Sequence, residues 1–449
     1  MHRINAQTLA LREAVLDYSV ARMDYDPVPL DRPEPNETLA KLTGQTLTDT
    51  GIGWEKALHL FRDVLAPATI SADHPNFLSF IPAAPTEAAS LFDLVVSASS
   101  IYGGSWKEGA GAIHAENQVL EFLARECGLP EGAGGVFVQG GTLGNLSALV
   151  SARQWAKAKG QLGPWAMICS AEAHSSLAAT ARVMDVELII AAPVADGKFT
   201  AAVAEKAIVR AKEAGLTPFA LVGTAGTTNF GIVDRLEELA ATASKENLWF
   251  HVDGAYGLAG ILSTEHKGLY RGIEHCDSFI VDPHKWLFAP FDACALVYRN
   301  PEYAKQAHTQ QADYLDSVHA TGEWNPSDYA FNLTRRARGL PLWFSLATYG
   351  VEVYRQAVAR GIHLARQIAD VIAEREYLEL LRPPELSVVV FERTGWDAAQ
   401  YEQWSEALLE SQLAFVVPSS HQGRPNTRFA IVNPRTQFSD LVKILDSMA

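Results

Sequence analysis

Only four cysteines occur in 449 residues, and Cys127, Cys169, Cys276 and Cys294 lie far apart with no C-x-x-C spacing. That usage argues against a disulfide framework and points to a reducing, cytoplasmic setting. Basic charge is scarce too: 37 Lys and Arg stand against 52 Asp and Glu, for a formal net charge of -15. A surplus of acid opposes the footprint of a nucleic-acid or anionic-membrane binder. No uncharged stretch reaches the roughly 18 apolar residues that suggest a membrane span. Internal repeats and low-complexity tracts are missing, as are Walker A, G-x-G-x-x-G and H-E-x-x-H patterns. These absences leave a small molecule as the expected partner.

What is present is a large hydrophobic share, 48%, enough for one large domain with smaller companions. Residues 1–85 read as an N-terminal helical arm. Within it, RINAQTLALREAVLDYSVARM carries Glu13 and Asp17 inside an apolar pattern, so an amphipathic helix is expected rather than a signal peptide. Being too apolar to stand free, this helix is expected to pack on a second copy of the chain. The prolines of DYDPVPLDRPEP cannot continue it. From 86 to 345, short apolar runs such as GVFVQ, AMICS, VELIIAA, FALVG, LWFHVD and SFIVD alternate with helical patterns. That alternation implies an α/β domain with a mainly parallel sheet covered by helices. From 346 to 449, long helical stretches with strand-like LSVVVFER and TRFAIVN imply a smaller α+β domain.

In an open α/β sheet, ligands bind where strands give way to loops. QGGTLGN (139–145) couples glycines to a helix start, an arrangement suited to an anion and equally to a plain tight turn. AEAHSS (171–176) presents His174 after a strand, where a lone histidine also serves as cap or core residue. GTAGTTNFG (223–231) offers hydroxyls at another strand end. LWFHVDGAYG (248–257) delivers Asp253 beside the small Gly254 and Ala255, where a carboxylate either meets a flat cationic ligand or caps the turn. VDPHKW (281–286) sets Lys285 behind a buried-looking run. His251 and Asp253 share a strand face and could reach a metal, but no zinc-ligand spacing accompanies them. Singly, these loops decide nothing. Together they provide an anion cradle, a carboxylate for a cationic ring nitrogen, a flat imidazole and a lysine able to form a Schiff base. That is the set required by pyridoxal 5'-phosphate.

At these residues the chain resembles the pyridoxal-phosphate-dependent group II decarboxylases, especially the aromatic-L-amino-acid decarboxylase branch. HPNFLSFIP (74–82), GGTLGNLSAL, AHSS, TAGTT followed by Asp234, HVDGAYG, DPHKW, RRARGLPLWF, YGVEVY and TRFAIVN carry the resemblance over nearly the whole length. It implies an aspartate-aminotransferase-like, fold-type I architecture and an obligate homodimer with active sites at the subunit interface. It also implies a carboxy-lyase that turns an L-amino acid into its amine and carbon dioxide. By position, it implies Lys285 as the Schiff-base lysine, Asp253 as partner of the pyridine nitrogen, and His174 stacked on the ring with Ala255 on the other face. Gly141, Thr142 and His284 are implied around the phosphate, and Thr224 beside the cofactor. Tyr314, in ADYLDSVHATGEWNPSDY (312–329), matches the tyrosine that returns a proton to the substrate. A phenylalanine there would resemble the aldehyde synthases. That loop is expected to be mobile and to close on substrate.

Three positions depart from the pattern. Asp282 replaces a common asparagine and puts a carboxylate near the phosphate. Gly104 in SSIYGGSW (99–106) and Ala72 replace bulky aromatics, which is expected to enlarge or reshape the substrate pocket. Phe80, Ile81 and Tyr102 keep an apolar lining, Gly350 leaves space, and no arginine is evident for a second carboxylate. An aromatic substrate such as tryptophan, 5-hydroxytryptophan, phenylalanine, tyrosine or DOPA is therefore expected. Another amino acid such as glutamate, or aldehyde synthesis, are the alternatives.

Overall fold

The short apolar runs become a seven-stranded sheet: β1 (Gly134–Val138), β2 (Trp165–Ser170), β3 (Glu187–Ala191), β4 (Thr217–Thr224), β5 (Trp249–Asp253), β6 (Ser278–Val281) and β7 (Cys294–Tyr298). The computed structural model describes residues 2–449 except Pro193, Ala195, Ala312 and residues 314–321. Every residue of β1, β5, β6 and β7 is buried, which is why these strands read as continuous apolar runs rather than alternating ones. The strand order is β1-β7-β6-β5-β4-β2-β3. Neighbours from β6 through β3 pair in parallel, whereas β7 is antiparallel to both β1 and β6. All strands but β7 therefore point one way, giving the mainly parallel α/β architecture that the alternation implied.

Side chains alternate across the sheet, and each face has its own core. Val136, Val138, Met167, Val222 and Ile280 pack with Leu149 and Trp155 of helix Gly141–Ala158. On the opposite face Phe137, Ile168, Leu221, Val252 and Phe279 pack with Leu120 and Leu123 of helix Trp106–Glu126 and with Leu239 of helix Leu236–Glu246.

The C-terminal part forms a second, antiparallel sheet of β8 (Leu378–Leu380), β9 (Val388–Arg393), β10 (Pro418–His421) and β11 (Arg424–Ala430), ordered β10-β11-β9-β8. Helices Val351–Ala373, Ala398–Glu410 and Phe438–Asp446 supply its hydrophobic cover. A segment from the other end of the chain completes this unit. Leu78 is fully buried in its core, its N–H donates to Phe415 O (3.0 Å), and its carbonyl accepts from Ala430 N (2.9 Å).

Helix Ala6–Met23 opens with a reciprocal cap: Asn5 Oδ1 accepts from Thr8 N, and Thr8 Oγ1 accepts from Asn5 N. It forms over the stretch that the amphipathic pattern marked, yet it buries none of its residues within the chain, and neither does helix Asn36–Thr43 or helix Trp54–Leu60.

Candidate active site

Parallel strands end along one edge of the sheet, and that edge gathers most of the residues singled out above. Ladder register places Thr224 opposite Asp253 and Asp253 opposite Ile280, two residues before Asp282. After β1 the chain turns into helix Gly141–Ala158, which starts without a side-chain cap. Leu143 N and Gly144 N both donate to Gly140 O (3.0 Å each), which leaves the N–H groups of Gly141 and Thr142 at the helix start to favour an anion. A glycine keeps the site uncrowded at 141, where a Cβ would lie 3.1 Å from Asp282 Oδ2, 3.2 Å from Ile280 Cδ1 and 3.3 Å from Ala255 Cβ.

Lys285 Nζ lies 2.7 Å from Asp282 Oδ2. Burial disfavours the ammonium, but the adjoining Asp282 carboxylate more than offsets that and holds the lysine pKa above its ordinary value. Asp282 is itself buried, and its Oδ1 has no hydrogen-bond partner. His284 accepts the Ala293 N–H at Nδ1 (3.0 Å) and turns Nε2 toward Asp282 Oδ2 at 3.7 Å; burial lowers its pKa. The carboxylate flagged as a departure thus sits between the lysine, the histidine and the helix start.

Asp253 is buried at the end of β5. Its Oδ1 accepts from Ala255 N (3.1 Å) and its Oδ2 from Asn145 Nδ2 (2.9 Å). Asn145 also bonds His251 Nε2 (2.9 Å) and Ser176 Oγ (3.0 Å). His251, which shares a strand face with Asp253, is therefore occupied by an amide. Neither Asn145 nor Ser278, which bonds His251 Nδ1 at 2.8 Å, was singled out from the sequence. The only signal was the asparagine closing the glycine-rich turn, 108 residues from the aspartate it serves.

Thr224 donates its N–H to Asp234 Oδ2 (2.7 Å), while its buried Oγ1 has no partner. Asp234 also accepts from Phe199 N (2.8 Å), and burial raises its pKa to about 7 against those two donors. His174 is exposed just past β2, with Nδ1 accepting from Ser176 N at 3.2 Å. Tyr314 lies outside the described residues.

The pocket positions fall elsewhere along the chain. Phe80 is 60% exposed, and Ile81 packs on the main core. Tyr102 donates to Leu333 O (3.1 Å). Within the chain Gly104 opens no room, since a Cβ there would collide with the Tyr102 hydroxyl and come within 2.6 Å of Leu333 O. Gly350 does have open space, but its φ of +81° also makes glycine the residue the backbone requires between two helices.

No arginine is evident near these positions in the sequence, and the fold brings two there. Arg335 is held by Glu116 through two 2.8 Å bonds. Arg428, on β11, donates to the carbonyls of Thr228 and Phe80 and forms no ion pair among the described residues.

A buried hydroxyl without a partner costs roughly 1–3 kcal/mol, so Thr224 Oγ1 calls for a ligand atom. With a helix start, a lysine amine and a buried carboxylate at the same edge, the residues fit a flat, phosphate-bearing aldehyde.

Comparison with known proteins bears on the same chemistry. Residues 35–394 match the pyridoxal-dependent decarboxylase conserved domain. The chain is 29% identical over 421 residues to an aromatic-L-amino-acid decarboxylase of Bacillus atrophaeus, covering 90% of this chain and 86% of that one. It is 30% identical to an L-2,4-diaminobutyrate decarboxylase of Rhizobium meliloti (strain 1021), covering 90% and 83%. In fold it is similar to Oryza sativa TDC with PLP and tryptamine, at a TM-score of 0.92 and 23% identity over 100% of this chain and 99% of that one.

Proposed function

The chain belongs to the pyridoxal-dependent decarboxylase family, and from that premise we propose that it converts an aromatic L-amino acid to the corresponding amine and carbon dioxide. It is a pyridoxal-phosphate-dependent carboxy-lyase of fold type I; the substrate and the residue roles are our reading. When bound, the cofactor supplies an electron-withdrawing ring that stabilises negative charge on the substrate carbon.

Lys285 is the residue that attaches the cofactor through its amine, and Asp253 is the carboxylate for a protonated ring nitrogen. His174 and Ala255 would hold the ring, Gly141, Thr142 and His284 would hold the phosphate, and the free Thr224 hydroxyl would bond the cofactor. Tyr314 is the donor of the proton that replaces the lost carboxylate. Arg428 is assigned here as the cation for the substrate's α-carboxylate, since its guanidinium is bonded only to main-chain carbonyls among the described residues. Among the described residues no other cation bonds Phe80, which favours an aromatic side chain over glutamate. The exposed Phe80 ring and Tyr102 supply apolar lining, with Ile81, Gly104 and Gly350 as neighbours whose contact with substrate awaits the partner subunit.

We further propose a homodimer with sites at the interface, because three helices of the arm bury none of their residues within one chain. No helix among the described residues is long and apolar enough to cross a membrane. A cytoplasmic location is proposed from the four cysteines, all buried and unpaired.

The observation that carries this reading is the meeting of Lys285, Asp253 and the unpartnered Thr224 hydroxyl at one sheet edge. Loading the protein with cofactor and reducing with borohydride should leave the adduct on Lys285. A panel of tryptophan, 5-hydroxytryptophan, phenylalanine, tyrosine, DOPA, glutamate and 2,4-diaminobutyrate, with product identification, tests the substrate. Preference for glutamate or diaminobutyrate would overturn the aromatic assignment, and aldehyde with peroxide would reassign the reaction to aldehyde synthesis.

A further inference from the structure

Behind the Asp253 carboxylate runs a chain of buried groups that the reaction itself does not use. Asp253 Oδ2 bonds Asn145 Nδ2, Asn145 Oδ1 bonds His251 Nε2, His251 Nδ1 bonds Ser278 Oγ, and Ser278 Oγ bonds Trp249 Nε1, each at 2.8 to 2.9 Å. All five side chains are at most 5% exposed. The direction of every bond follows from chemistry. A carboxylate can only accept, so the amide nitrogen of Asn145 must face Asp253, and its oxygen is left for His251. The nitrogen's second hydrogen goes to Ser176 Oγ at 3.0 Å. His251 must then carry its proton on Nε2. Burial holds this imidazole neutral, with its pKa lowered to about 4, so Nδ1 is an acceptor and Ser278 donates to it. Ser278 Oγ in turn accepts from the indole, which can only donate.

Four donors thus point the same way, from Trp249 through to Asp253. The elements are separate ones: Trp249, His251 and Asp253 lie on β5, Ser278 on β6, and Asn145 in the first turns of helix Gly141–Ala158. A loss at any link leaves a buried polar atom unpaired, so the members are expected to act as a unit.

We propose that Asn145, His251 and Ser278 are positioning residues, a one-directional hydrogen-bond relay that fixes the orientation of the Asp253 carboxylate toward the ring nitrogen of the cofactor. The inference rests on the reading of Asp253 given above. It also explains the histidine without a metal: its two nitrogens are consumed in passing one hydrogen-bond direction from indole to carboxylate. Residues that hold a functional group from behind commonly matter about 10- to 100-fold.

The test uses the cofactor-loaded enzyme with Ser278→Ala, His251→Phe, their double variant and Asp253→Ala. The readouts are the visible absorption band of bound cofactor, the half-life of its release on dialysis, and kcat and KM for the best amino acid. Ser278→Ala and His251→Phe should each displace the band, speed cofactor release roughly tenfold and lower kcat about 10- to 100-fold with little change in KM. The double variant should be no worse than His251→Phe alone, the mark of a shared chain. If Asp253→Ala alters band and release while the two relay variants stay within twofold of the parent, the relay is overturned and the cofactor reading stands. Additive losses in the double variant overturn it as well. If Asp253→Ala itself changes neither band nor release, the cofactor reading has failed instead. Should His251→Phe not fold, Ser278→Ala, which removes one oxygen, decides by the same readouts.

Discussion

At the scale of single residues, Asp282 has the largest chemical consequence. Only a neutral amine attacks an aldehyde, and the carboxylate 2.7 Å from Lys285 Nζ holds that amine charged. Asp282→Asn is therefore expected to speed cofactor capture by the empty enzyme at neutral pH, by about tenfold for each unit the lysine pKa falls. Stopped-flow absorbance after mixing with cofactor measures this, and an unchanged rate would show that the pair does not control capture. Arg428→Ala is expected to remove a charge-assisted contact worth roughly 1.5–3 kcal/mol, raising KM for the amino acid by about 10- to 100-fold while cofactor release stays as in the parent. Asp253 and Thr224 could be placed from the sequence because each closes an apolar strand run, and Lys285 because it lies in the turn that follows one; their roles come from the family resemblance. Arg428 was not, since nothing in TRFAIVN tells which residues its guanidinium meets. Nor was the filling of the Gly104 space, which depends on a Tyr102 ring folding back from two positions away.

At the scale of elements, the β4 end is held by a carboxylate that dislikes being there. Buried Asp234 has its pKa raised to about 7, and Asp277 to about 6; His74 and His251 are both lowered to about 4 by burial. As pH falls, the two aspartates take up protons in the native state before the unfolded one, whose Asp pKa is about 3.9, so their contribution to stability grows. The histidines do the opposite, because the unfolded chain binds protons from about pH 6.5 and the native one only near 4. These contributions oppose one another over about pH 4 to 7. Asp234→Asn leaves the histidines less opposed, so the variant should lose stability more steeply than the parent as pH drops through that window. Urea unfolding at several pH values reads the slope; a slope equal to the parent's would count against the assignment. Strand identities were easy to read for the opposite reason: apolar runs buried on both faces leave no competing interpretation once helical periods flank them.

At the scale of the whole molecule, the arm and the helix that follows it both expose apolar side chains, and the proposed dimer is what would cover them. Leu91, Leu94 and Val95 of helix Glu87–Ala98 are 41%, 47% and 46% exposed, and helix Ala6–Met23 exposes Leu9, Leu16 and Val20 as well. Sedimentation should show a dimer burying more than about 2,000 Å², and Leu91→Glu with Leu94→Glu should shift it toward monomer with loss of activity. A parent protein that stays monomeric at micromolar concentration would defeat the homodimer proposal.

The hydrogen bonds from residues 76–79 to the segment around Phe415 tie together stretches 336 residues apart. During translation at about 5–20 residues per second, Leu78 leaves the ribosome on the order of 20–70 s before its neighbours exist. Throughout that interval the nascent polypeptide carries a naked apolar segment near its front, a natural site for a chaperone to hold.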